Sequence, residues 1–316
     1  MNPDVLGPGL AALRPRLPSP LTAVEDERFT RHGVRLLLKR DDLIHSALPG
    51  NKWRKLVPNL RAAADGGRRI LLTFGGAYSN HLRATAAAGR LLGFTTVGVV
   101  RGDELAGRPL NPSLARCAAD GMRLRFTDRA TYRRKAEPAV LRSLLTGAAE
   151  ELSVPPERLY VIPEGGSNSP AARGCTALGE ELRGAADVVG VACGTGGTLA
   201  GLAAGLAPGQ RAIGFPVLRG GFLAGEVRAL QLAAFGGPRG AWSLDERFHG
   251  GGYARTTPGL DSFAADFEDR HGLPVERLYV AKLLHGLTVL AGEGAFPAGS
   301  TVAAVITGRP EPAEGP

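Results

Sequence analysis

The sequence predicts an α/β protein of two lobes, each an open, twisted, mostly parallel sheet flanked by helices. Three observations predict it. Strand and helix patterns alternate along most of the chain. The strands read as continuous apolar runs, such as Ile70-Leu71-Leu72 and Val302-Ala303-Ala304-Val305, as strands covered on both faces do. There are too many strand–helix units for one compact sheet, and Pro155-Pro156 is a plausible crossing between lobes.

Residues 1–20 are proline-rich and are expected to wrap over a surface. A strand is expected over Gly33–Lys39, ending at the acidic pair Asp41-Asp42, and a helix from near Leu56 to the stop at Gly66-Gly67. Arg69–Phe74 follows as a strand, Ser79–Leu92 as a helix closed by Gly93, and Thr95–Val100 as a buried strand. Asn111–Ala119 reads as a helix, Arg123–Phe126 as a strand, and Pro138–Leu152 as a helix whose proline is tolerated in the first turn. Leu159–Ile162 is a strand running into Pro163-Glu164-Gly165-Gly166-Ser167-Asn168. In the second half, helices are expected over 171–182, 198–206, 222–235 and 261–271. Strands are expected over 187–192, 212–217 and 301–306, and the tail from Arg309 to Pro316 is expected to be disordered.

Composition narrows the function. The net charge of +8 comes from scattered arginines with few aromatics among them, which argues against nucleic acid and suits small anions. Three widely spaced cysteines make neither a zinc site nor a disulfide framework, and the histidines form no ligand spacing. A cytoplasmic protein without metal or membrane span is expected. The chain has only five lysines, Lys39, Lys52, Lys55, Lys135 and Lys282, so arginine supplies nearly all of its 38 basic residues. Only a primary amine condenses with a carbonyl, and an ammonium changes its pKa readily on desolvation. Lys52 and Lys55 within Gly50-Asn51-Lys52-Trp53-Arg54-Lys55-Leu56 therefore invite a chemical reading, with two solvated lysines at a helix start as the alternative.

Two strand-to-helix loops could hold anions. Gly194-Thr195-Gly196-Gly197-Thr198 lacks the lysine of a nucleoside-triphosphate loop and the third glycine of a dinucleotide fingerprint, so a lone phosphate fits best; a tight structural turn is the alternative. In Gly75-Gly76-Ala77-Tyr78-Ser79-Asn80-His81, Ser79 is an N-cap candidate. The functional alternative is that Ser79, Asn80 and His81 offer hydroxyl, amide and backbone donors to a substrate carboxylate. Tyr253, after Gly250-Gly251-Gly252, and Tyr279 are either packing residues or residues for stacking and proton transfer. An amine, a phosphate cradle, a carboxylate cradle and two tyrosines together suit pyridoxal 5'-phosphate acting on a small amino acid.

These stretches, with Lys39-Arg40-Asp41-Asp42-Leu43, Leu110-Asn111-Pro112 and Gly252-Tyr253-Ala254, occur over roughly 36–308 in an order that resembles one family. It is the 1-aminocyclopropane-1-carboxylate deaminase and D-cysteine desulfhydrase family, fold-type-II pyridoxal-phosphate enzymes of tryptophan-synthase-β-like architecture. The resemblance implies a large cofactor-binding domain from residues 1–53 and 161–316, a small domain from 54–160, and a homodimer. It makes Lys52 the Schiff-base lysine and gives Gly194, Thr195, Gly196, Gly197 and Thr198, helped by Lys55, the phosphate. Asn80 takes the cofactor's 3-oxygen, Ser79 the substrate carboxylate and a proton, and Tyr253 and Tyr279 are the active-site tyrosines. The implied activity is α,β-elimination from D-cysteine to pyruvate, ammonia and sulfide, or deamination of 1-aminocyclopropane-1-carboxylate, or cofactor binding with little turnover. Three positions depart from the pattern. Val280 stands where the deaminases carry Glu and the desulfhydrases Thr, facing the pyridine nitrogen. Thr307 matches the desulfhydrases and could partner that nitrogen, and Arg309 replaces a glycine.

Overall fold

The computed structural model describes residues 7–48, 50–252 and 255–310. Among them the strands are, in chain order, β1 (Leu21–Val24), β2 (Arg35–Lys39), β3 (Ile70–Gly75), β4 (Thr95–Arg101), β5 (Arg123–Thr127), β6 (Leu159–Ile162), β7 (Val188–Cys193), β8 (Arg211–Pro216), β9 (Ala241–Leu244) and β10 (Thr301–Val305). The chain divides into two compact units, one of residues 1–14 with 56–168 and one of 15–55 with 169–316. The boundaries expected from the family resemblance lay at 54 and 160, with the N-terminal residues in the larger part.

The smaller unit holds a parallel sheet in the order β5-β4-β3-β6. Its apolar strands bury both faces. Leu72, Phe74, Val97 and Val99 pack with Tyr132 and Ala148, while Val100 joins Leu82, Ala86, Leu114 and Met122. The larger unit holds the order β1-β2-β10-β7-β8-β9, parallel except for the antiparallel edge strand β1. Alternation along β2 assigns its faces: Leu36 and Leu38 pack with Phe215 and Leu287, and Leu37 with Leu199 and Leu202. That is why such strands look uniformly apolar rather than alternating.

Most expected elements are present, and the differences have physical causes. The helix expected from Leu56 starts at Asn51 and runs to Asp65, so Lys52 lies in its first turn. The segment expected as one helix over 171–182 is two, Ser169–Gly174 and Thr176–Glu180. Both lie against the small-residue face of the Gly197–Gly205 helix, where a Cβ on Gly201 would come within 2.1 Å of the Ala172 carbonyl oxygen and one on Gly205 within 2.0 Å of that of Thr176. A helix over Val280–Gly292 was not expected. Most of its residues are buried, and a helix that is apolar nearly all round shows no polar face to read. The proline-rich N-terminal stretch contains a short helix, Gly7–Ala12. Residues 311–316 of the expected disordered tail lie outside the described residues.

Candidate active site

Lys52 is half-buried, and its Nζ donates to Asn51 Oδ1 at 3.2 Å. Burial, reinforced by the charge of Lys55 one turn along, brings its ammonium down to about 7. A cation in the first turn of a helix is also disfavoured by the backbone N–H groups exposed there. Near neutral pH Lys52 is therefore substantially a free amine. Lys55 is buried, and burial lowers its pKa too; the thiols of Cys175 and Cys193 lie close enough to affect it.

The lysine helix is held from below by a buried ionic cluster. Arg54 Nε donates to Asp41 Oδ2 at 2.8 Å and Nη2 to Asp41 Oδ1 at 2.9 Å. Its Nη1 and Nη2 also reach the two Glu181 oxygens, each at 2.9 Å. Lys39 Nζ closes the cluster on Glu181 Oε2 and the Ser19 carbonyl, both at 2.6 Å. Burial alone would raise the Glu181 carboxyl, but the Arg54 and Lys39 hydrogen bonds hold it below its ordinary value. The Lys39–Leu43 motif thus acts through Arg54, two residues from Lys52. Arg309, where the family has glycine, donates from Nε to Asp42 Oδ2 at 2.8 Å.

Three contacts gather the expected cofactor residues around this helix within the larger unit. Asn51 Nδ2 donates to Thr198 Oγ1 at 3.0 Å, so one amide touches both Lys52 and the glycine loop. Gly50 has φ +67°, and a Cβ there would sit 1.6 Å from the Thr307 carbonyl oxygen, so only glycine lets Thr307 lie against the lysine segment. Tyr279 Oη lies 3.4 Å from where a Gly194 Cβ would be. The loop joins β7 to the Gly197–Gly205 helix; Gly196 is left-handed at φ +77°, and a Cβ on it would meet Val227 Cγ2 at 2.8 Å. The turn expected at Gly194–Thr198 therefore ends at a helix N-terminus, as an anion cradle requires. Val280 is buried in an apolar cluster at the start of its helix. Tyr253 lies outside the described residues.

The other donors belong to the smaller unit. Ser79 caps the Asn80–Leu92 helix, its Oγ accepting from Leu82 N–H at 3.3 Å. The cap is thus real, and it leaves the hydroxyl hydrogen available to a ligand. Asn80 is exposed, and its Oδ1 accepts from Arg83 Nη2. The His81 ring is turned inward, its Nε2 2.7 Å from Thr73 Oγ1, so the ring itself is directed into the protein. Asn51, Asp41 and Arg54, for which the motifs alone suggest no role, hold the lysine helix. Glu181, which no local pattern signals, completes their cluster. No cluster of described residues could hold a metal.

These residues fit pyridoxal phosphate. A depressed amine can bond its aldehyde, and a glycine cradle that a Cβ would fill, at a helix start, can take its phosphate. The hydroxyl of Thr198 and the ammonium of Lys55 lie beside that cradle and helix.

The profile described as "Pyridoxal-phosphate dependent enzyme" matches residues 15–308. A Pyrococcus furiosus protein named "Putative 1-aminocyclopropane-1-carboxylate deaminase" is 30% identical over 279 residues, covering 83% of this chain and 81% of its own. The D-cysteine desulfhydrase of Klebsiella pneumoniae is 33% identical over 203 residues, covering 60% of this chain and 58% of its own. A crystal structure described as an ACC deaminase homologue superposes with a TM-score of 0.78 at 25% identity, over 98% of this chain and 95% of that one. The lysine helix, the glycine cradle and these likenesses agree: the chain belongs to the pyridoxal-phosphate-dependent enzymes of fold type II, as a lyase of the 1-aminocyclopropane-1-carboxylate deaminase and D-cysteine desulfhydrase family.

Proposed function

We propose that the chain eliminates sulfide from D-cysteine. The observation that carries this is Lys52, an amine brought to about 7 and tied through Asn51 to Thr198 of the glycine cradle. When bound, the cofactor supplies the electron sink that lets the substrate's α-proton leave. Lys52 Nζ is the base that takes that proton, being neutral at the pH where it must act. Gly194–Thr198 hold the phosphate, and Lys55 adds charge. Ser79 donates its hydroxyl hydrogen to the substrate carboxylate, with the His81 backbone N–H supporting it, and Asn80 donates its amide to the ring oxygen. Tyr253 and Tyr279 serve proton transfer to the departing thiolate. The thiolate leaves with the C–S bonding pair, and water then replaces the amine, so D-cysteine and water give pyruvate, ammonia and hydrogen sulfide. The enzyme works as a cytoplasmic homodimer in this reading, and sedimentation of the loaded protein tests the dimer.

Val280 selects between substrates. Opening a cyclopropane ring leans on strong electron withdrawal by the pyridine, and a valine side chain offers its nitrogen nothing. Thr307, packed against Gly50, supports the desulfhydrase assignment as that nitrogen's partner. Val280 also favours a second reading, cofactor binding with little turnover. Loaded protein should release pyruvate and sulfide from D-cysteine and little from 1-aminocyclopropane-1-carboxylate. Pyruvate from the cyclopropane alone would establish the deaminase instead, and no keto acid from either would establish the second reading.

A further inference from the structure

Lys282 belongs neither to the ionic cluster under the lysine helix nor to the glycine cradle. It lies on the Val280–Gly292 helix, three residues after Tyr279 and so on a neighbouring part of the helix surface. Its side chain is fully buried, and burial lowers its pKa. Nζ donates to the Gly252 carbonyl at 3.0 Å, and Cε lies 3.2 Å from where a Gly250 Cβ would be. That carbonyl belongs to Gly250-Gly251-Gly252, with φ +62°, +90° and +124°. Three successive positive-φ glycines make no regular backbone ladder and lose the most conformational freedom on folding. The other contacts that hold them are local: Gly251 N–H to His249 Nδ1 at 3.0 Å, Gly252 N–H to the His249 carbonyl at 3.1 Å, and Arg255 N–H to the Gly252 carbonyl at 3.4 Å. Among the described residues, Lys282 makes their long-range hydrogen bond.

We propose that Lys282 is a positioning residue, its ammonium pinning the Gly250–Gly252 turn against the helix turn that carries Tyr279. That turn immediately precedes Tyr253 in the sequence, and the tie sets its spacing from the segment that carries Tyr279. Cε lies close against Gly250, so a bulkier guanidinium at this position would press on the Gly250–Gly252 turn. This rests on the reading of Tyr253 and Tyr279 as active-site residues.

The test has two arms. In unmodified wild-type protein, acetic anhydride should label Lys282 about 100-fold more slowly than in the urea-unfolded chain, as expected of a group exposed only on local opening. In Lys282→Met, the cofactor Kd and the melting temperature of the loaded protein should stay near wild type, while kcat on D-cysteine falls about 100-fold, as misplacement of reacting groups by roughly an ångström allows. Lys282→Arg, which keeps a donor but strains the turn, should recover part of that loss. Labelling of Lys282 as fast as in the unfolded chain would overturn the proposal. So would a Lys282→Met protein with wild-type kcat, or one whose cofactor affinity falls as far as its kcat. Should Lys282→Met not fold, labelling and Lys282→Arg decide: an Arg variant with unchanged kcat overturns the proposal, and one with reduced kcat at unchanged cofactor affinity supports it. Wild-type protein inactive on every amino acid, with Lys282 still protected, would sink the functional reading and leave the tie intact.

Discussion

The segment around Lys52 and the segment around Ser79 are both helix starts that follow a glycine-bearing turn, yet they are built oppositely. Lys52 is half-buried between a cluster of Arg54, Asp41, Glu181 and Lys39 and a cradle reached through Asn51. Ser79 and Asn80 sit on a conventional N-cap, with Asn80 exposed and its carbonyl accepting from Arg83. The first region spends its polar contacts on fixing one amine in a desolvated setting. The second places a cap hydroxyl and an exposed amide at the start of its helix. The difference matches what the proposed covalent cofactor and exchangeable substrate would respectively require.

The sharpest way to break this comparison is at the amine. Lys52→Ala should lose the cofactor's visible band with the protein and lower turnover about 10^4-fold or more, with the fold intact by circular dichroism. Next comes Gly50→Ala, where the new Cβ would overlap the Thr307 carbonyl at a left-handed φ. It should cost about 3 kcal/mol or more and lower the melting temperature by several degrees. Asn51→Ala cuts the tie to Thr198; a lost buried hydrogen bond of about 1–2 kcal/mol should raise the cofactor Kd about 5- to 30-fold. Thr198→Val should cost at least as much, since it also removes a hydroxyl from the cradle, and the double variant should cost less than the sum of the two. Ser79→Ala removes a cap worth about 1 kcal/mol, so stability falls slightly while kcat/KM falls further. Ser79→Ala losing stability and kcat/KM in equal measure would leave the cap as its sole role.

Acidity sharpens the comparison more gently. With Lys52 near 7, cofactor capture by the apo protein should rise with pH and level off above about 7. Lys55→Met removes a like charge that helps depress Lys52, so the midpoint should move up. The stability sign follows from the same shift. Between about 7 and the ordinary lysine range the unfolded chain binds a proton at residue 52 that the folded chain does not, so apo stability gains with rising pH there. Lys52→Met should make that slope shallower in a melting series, the buried Lys55 and Lys282 keeping their share.

Much of this site was legible because its residues are local to motifs. Lysine scarcity marked Lys52, glycine spacing marked Gly194–Thr198, and Ser79 before an apolar helix marked a cap. Three things were hidden. Glu181 reaches Arg54 from 127 residues away, a distance no spacing rule spans. The Asn51–Thr198 bond joins two legible motifs without a signal of its own. The Val280–Gly292 helix is buried nearly all round, so its periodicity carried nothing, and with it the setting of Tyr279, Val280 and Lys282 was lost. The fold was readable from strands buried on both faces; the early start of the lysine helix was not, since Asn51 uses its side chain on Thr198 and Lys52.

The central claim is that the larger unit singles out one amine of five. Incubating the wild-type protein with pyridoxal phosphate, reducing with borohydride and mapping the peptides tests it directly. The cofactor should be found on Lys52. Its appearance on Lys55, Lys135, Lys39 or Lys282 in place of Lys52 would contradict the account.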